Sequence, residues 1–234
     1  MEQKIDIQEL SIVIAVKGLN PTILNPDFLT YSGIVPTEWE LARPPVLSTR
    51  FTQIIFQGGI TIAAQPGSIT FSESLNTKKV NEISVAALAH KYVETMPNAE
   101  YQAVSISPKR IVTFDDQVNG AHKYITETLL SSGSWQQVGN TPVQASVNLG
   151  YSFDHCRFVL NITENRLQLP EGETIPAVLF VGNFNYDINA EDVAARTTQL
   201  SQAIGNWQAD LETYRNLLGT KFLPYSETNL AATA

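Results

Sequence analysis

The segment Arg50 to Glu73, RFTQIIFQGGITIAAQPGSITFSE, decides the fold class. Phe51, Gln53 and Ile55 alternate with Thr52, Ile54 and Phe56, the two-residue period of a strand. Gln57-Gly58-Gly59 interrupts the pattern, and Ile60 to Ala64 resumes it. Gln65-Pro66-Gly67-Ser68 interrupts it again before Ile69 to Glu73. Proline presets the first central torsion of a turn, and glycine takes the positive φ that a type II turn needs at the second. Three short strands joined by tight turns make an antiparallel meander.

Working outward, Ile7 to Lys17 reads as a central strand rich in Ile and Val, ended by Gly18. Residues 19–49 hold five of the twelve prolines, so long regular structure cannot persist there. A short helix from Pro26 to Tyr31 fits, with Asn25 as N-cap and Pro26 at the first helical position. After the meander a helix is expected from Val80 to Met96, stopped by Pro97, and then a strand from Glu100 to Ser107. A second helix is expected over Val118 to Ser131. Strands follow over Val143 to Phe153, Arg157 to Thr163 (with Arg166 to Leu169 as a further short one) and Pro176 to Asp187, with Pro170-Glu171-Gly172-Glu173 as a turn. Asn189 is read as the cap of a last helix whose first turn carries Glu191 and Asp192, acids that complement the positive helix end.

The elements repeat one plan. Residues 7–96 read strand, short-helical segment, three strands, helix; residues 100–218 read strand, helix, three or more strands, helix. The expectation is an α+β fold of two similar halves, 1–98 and 99–224, with a polar tail, 225–234. This order resembles the duplicated saddle topology of the TATA-box-binding protein, a resemblance of fold alone. That family's concave face is basic and carries intercalating Phe, whereas the sheet positions here include Gln53, Asn148, Asn183 and Asn185, so DNA binding does not carry over. Phe51-Thr52-Gln53-Ile54-Ile55-Phe56 and Phe184-Asn185-Tyr186-Asp187-Ile188 are also similar to an uncharacterised, sporadically distributed prokaryotic family. That resemblance implies no mechanism.

Catalytic patterns are scarce. Asp154-His155-Cys156 brings a thiol, an imidazole and an acid together in sequence, but strand neighbours point to opposite faces. On that reading His155 cannot deprotonate Cys156, and Cys156 is catalytically silent. His90 and His122 lack a second ligand at helical spacing, so a zinc site would need all three histidines to converge. Asp187 to Asp192 begins like a calcium loop but has Asp192 where Gly is needed and Thr198 where a bidentate Glu is needed. Gly58-Gly59 opens no helix and cradles no phosphate. Asp115-Asp116 and Glu191-Asp192 stand before helices, which accounts for them. No catalytic residue, cofactor site or metal site is assigned.

Composition narrows the setting. The chain has 234 residues, 43% hydrophobic and 16% charged, enough for a large core. Fifteen Lys+Arg against 23 Asp+Glu give a net charge of −8, which repels phosphate backbones and anionic lipid. No apolar run approaches the ~20 residues of a membrane span, and the N-terminus does not resemble a signal peptide. The lone Cys156 fits a reducing compartment. A cytoplasmic protein with no nucleic-acid or membrane partner is expected.

The strongest pattern is the last helix. Val193, Thr197, Leu200, Ile204, Trp207, Leu211, Tyr214 and Leu218 are spaced 4, 3, 4, 3, 4, 3, 4, a seam of the a/d type. Leu200, Ile204, Trp207, Leu211, Tyr214 and Leu218 serve either as core against the chain's own sheet or as a candidate interface, flanked by the uncharged Gln199, Gln202, Asn206 and Gln208. The expected function is a non-catalytic structural, assembly or adaptor subunit working through a protein partner or a homo-oligomer, with 212–234 near a contact. The alternative is a small-molecule binder or enzyme with a pocket between the sheet and the long helix.

Overall fold

The computed structural model describes residues 7–76, 78–114, 119–168 and 172–223. The tail 225–234, Asp115-Asp116 and much of the turn at Pro170 lie outside them. The fold is α+β. Nine strands form one antiparallel sheet in the order β2-β3-β4-β5-β1-β6-β9-β8-β7. They are β1 (Glu9–Lys17), β2 (Val46–Leu47), β3 (Thr52–Phe56), β4 (Ile60–Gln65), β5 (Ser68–Ser74), β6 (Glu100–Thr113), β7 (Ser146–Ser152), β8 (Arg157–Gln168) and β9 (Thr174–Asp187). The helices are α1 (Pro26–Tyr31), α2 (Val85–Thr95), α3 (Gly120–Lys123, running on as a π-turn to Leu129), α4 (Val193–Gly205) and α5 (Trp207–Leu217).

In the first half β1 pairs with β5, the last strand of the meander; in the second half β6 pairs with β9, again the last. The halves meet where β1 pairs with β6, placing Ile14 opposite Val104 and Ile12 opposite Ile106. The boundary at 98/99 therefore divides the chain between α2 and β6 but not the sheet, and one apolar core runs through both halves.

Local chemistry explains the short-range features. Asn25 accepts a 2.8 Å hydrogen bond from Phe28 N, and Pro26 opens α1. Gly67 has φ of 91°, and Gln65 pairs with Ser68 around the two-residue turn. The helix expected from Val80 is a 3₁₀ turn over Val80–Glu82 followed by α2. The cap of the last helix is Asp192, whose carboxylate accepts from Ala195 N at 2.8 Å. Asn189, expected in that role, instead donates its N–H to the Gln199 side chain.

Strand β6 runs six residues past its expected end at Ser107, straight through Pro108. Proline cannot donate to the ladder. Gly182 lies opposite it on β9, and the Gly182 carbonyl faces the Ser107 hydroxyl at 2.9 Å. A side-chain donor thus replaces the missing N–H, and a prolyl residue is tolerated in a central strand.

Helices α2, α4 and α5 cover one face, burying Ile12, Ile14, Ile54, Ile62, Phe71, Val104, Ile106, Phe158, Leu160, Phe180 and Phe184. Gly182 lets α5 approach: a Cβ there would stand 2.8 Å from the Tyr214 ring. The α2 N-terminus is anchored by a strand residue. Glu73 on β5 accepts from Ser84 N at 2.8 Å and Val85 N at 2.7 Å, doing the work of an N-cap whose own side chain makes no such bond.

Candidate functional site

The seam of the last helix is core. Leu200, Ile204, Leu211, Tyr214 and Leu218 are buried within the chain, and Trp207 is half-buried against the same core. The candidate interface residues are thus spent on the protein's own sheet, because an apolar seam finds the nearest apolar face first. The helix is also divided: α4 ends at Gly205 and α5 begins at Trp207, with Asn206 between them.

A different cluster forms where α5 meets the β7–β8 hairpin. Phe153 N donates to Cys156 O at 2.9 Å, closing a tight turn with Asp154 and His155 at its tip. Strand alternation does not hold in a turn, so the expectation that His155 and Cys156 diverge fails here. Asp210, in the first turn of α5, completes the group. One ligand atom each from His155, Cys156 and Asp210 lies within 4.8 Å of the other two. His155 Nε2 stands 3.6 Å from Asp210 Oδ1, and Tyr186 on β9 donates its hydroxyl to Asp210 Oδ2 at 2.7 Å. The imidazole packs between aromatic rings, its centroid 6.0 Å from Phe153 and 5.9 Å from Tyr186.

Burial differs sharply within the cluster. Asp210 is 1% exposed, whereas the His155 side chain is 52% exposed. Burial pushes the Asp210 carboxyl above the usual carboxylate range, opposed by the Tyr186 hydrogen bond and by His155. Burial, reinforced by the Asp210 charge, pushes the Cys156 thiol up to about 11. In the bare protein Cys156 is therefore a thiol at neutral pH and a poor nucleophile. Burial and the bond to Asp210 also raise the Tyr186 phenol. A cleft of about 640 Å³ opens beside the cluster, lined by Asp154, His155, Cys156, Arg157, Val159, Asn185 and Asp187.

The histidines do not converge. His122 pairs with Glu164 at 2.7 Å and His90 lies on α2. What sequence reading missed is Asp210. The signal was present: an acid three residues after Trp207 and four before Tyr214, on the buried side of an amphipathic helix.

The second notable surface is the sheet face away from the helices. Alternation and pairing place Thr61, Ser72, Ser11, Ser107 and Asn183 in one row across five strands. Ser11 Oγ meets Ser72 Oγ at 2.9 Å, and Ser107 Oγ lies 2.9 Å from Asn183 Oδ1. Val159 extends that row onto β8, and neighbouring rows carry Thr70, Val13, Ala63, Ala15 and Asn161. The charges in its rows, Glu9, Lys17, Glu100, Lys109, Arg157 and Asp187, cancel.

No described helix is long and apolar enough to cross a membrane. No protein-family model matches this chain, and no curated protein matches it significantly.

Proposed function

We propose that the chain is a cytoplasmic, non-catalytic assembly subunit whose working surface is the uncovered face of its nine-stranded sheet, and that the occupant of this face is a second copy of the chain. The observation that carries this reading is the one-sided packing of the helices. At ~4.8 Å per strand and ~3.3 Å per residue the free face measures about 40 by 20 Å. That is on the order of 800 Å², the share of each partner in a standard-sized interface. Charge selects the same face: two chains of net charge −8 repel each other, but not where the charges balance. A surface of balanced charge also offers no basic patch to a phosphate backbone. The matching pairing order of β1 with β5 and β6 with β9 supports reading the two halves as an internal duplication.

Alkylation of introduced cysteines tests the surface, in a Cys156→Ser background. Thr70→Cys and Asn161→Cys lie on the face; Gln208→Cys lies exposed on α5. Raising the protein concentration should slow labelling at the first two several-fold and leave the third unchanged. Equal labelling at all concentrations would remove the sheet face as the contact.

A second reading, a small-molecule binder, is favoured by the cleft at His155, which the turn between β7 and β8 builds with strands β8 and β9.

A further inference from the structure

The cluster at the hairpin tip has the composition of a metal site, and we infer that His155, Cys156 and Asp210 bind a zinc-class divalent transition cation with one coordination position left open beside the half-exposed His155. The inference is independent of the assembly reading.

Ligand chemistry comes first. A thiolate, an imidazole and a carboxylate are the three protein ligand types of zinc, whereas calcium and magnesium take oxygen alone. Metal bonds of ~2.0–2.1 Å for nitrogen and ~2.0–2.2 Å for oxygen put the two atoms about 3.4 Å apart in a tetrahedron. His155 Nε2 and Asp210 Oδ1 are 3.6 Å apart already. Cys156 Sγ lies within 4.8 Å of a ring nitrogen of His155 and a carboxylate oxygen of Asp210, so a small rotation of the half-exposed imidazole closes the site. As the metal–sulfur bond forms, the thiol proton leaves to solvent.

The surroundings fit as well. Metal-binding carboxylates are held by hydrogen bonds from groups that do not themselves touch the metal. Tyr186 holds Asp210 in this way, through the oxygen that faces away from His155, at 2.7 Å. The carboxylate sits on a helix, 1% exposed, and is fixed by packing as well as by that bond. Three protein ligands, one of them half-exposed, match the pattern in which zinc keeps a water or a substrate atom, as structural four-ligand sites do not.

Cobalt(II) titration of the full chain, purified without an affinity tag, reads the site directly. The expected result is one equivalent bound, with a thiolate-to-cobalt charge-transfer band that zinc abolishes by displacement. Cys156→Ser should lose the band. His155→Ala, at a half-exposed position, should weaken zinc binding by at least about tenfold, and Tyr186→Phe by about 10–100-fold. Thermal denaturation of each variant without metal separates lost binding from lost folding. Absence of the band in the wild-type protein would overturn the inference. So would a band that survives Cys156→Ser, or zinc affinity unchanged in His155→Ala, since either places the metal elsewhere.

Discussion

Replacing Tyr214 by Ala should cost about 3–5 kcal/mol of stability, the range for deleting a buried aromatic side chain. Tyr214 is 0% exposed, its ring lies on Gly182, and its hydroxyl donates to the Phe180 carbonyl at 2.9 Å. Deletion removes the ring that joins α5 to the sheet and opens a cavity over β9 that the sheet backbone cannot close. A domain of ordinary stability holds only about 5–15 kcal/mol in all. Two companion changes isolate the cause. Tyr214→Phe, which loses only the hydroxyl, should cost about 1 kcal/mol. Gly182→Ala, which forces a methyl group against the ring, should cost about 1–3 kcal/mol. Urea denaturation of the three variants checks the order. A Tyr214→Ala cost no larger than that of Tyr214→Phe would mean that α5 is not docked through this ring.

Glu73→Ala should be comparably damaging, at about 3–5 kcal/mol, the cost of removing one partner from a buried charge pair. The Glu73 side chain is 0% exposed and meets Lys78 Nζ at 2.7 Å, besides accepting from Ser84 N and Val85 N. Its loss leaves the first N–H groups of α2 without their acceptor and strands the partly buried Lys78 ammonium. Glu73→Gln keeps an acceptor but not the charge. Hydrogen bonds to a charged group contribute about 1.5–3 kcal/mol against 0.5–1.5 for neutral ones, so the glutamine should recover part of the loss. Thermal and chemical denaturation should rank wild type, Gln and Ala in that order. Equal stability of all three would show that α2 is capped by water.

These two residues also show how far the sequence can be read. Local features were legible because their causes are local: the Pro66-Gly67 turn, the Asn25 cap and the strands of the meander depend on residues within a few positions of each other. Glu73 shares its strand face with Ile69 and Phe71, so an acid in an apolar row was visible, but its partner, the start of α2, was not. Strand β6 was expected to end before Pro108, since the donor that compensates for the proline is a side chain facing another strand. The seam of α4 and α5 was legible as a seam, and its alternative uses as core or interface were not separable until the sheet beneath it was known. The cluster of His155, Cys156 and Asp210 needed both a turn in place of a strand and a helix 54 residues further along the chain. No spacing rule joins residues so far apart, and the assumption of strand geometry at Cys156 pointed the wrong way.

Assembly through the sheet face is the central claim, and sedimentation equilibrium across a wide range of protein concentration tests it most directly. The wild-type chain should pass from monomer to dimer as concentration rises. A chain carrying Thr70→Arg and Asn161→Arg should stay monomeric, because two like charges on each copy then face their counterparts across a surface that was neutral. Both side chains point away from the core, so circular dichroism and denaturation midpoints should be those of the wild-type protein. A wild-type chain that remains monomeric at every concentration, or a dimer that survives both arginines, would contradict the account.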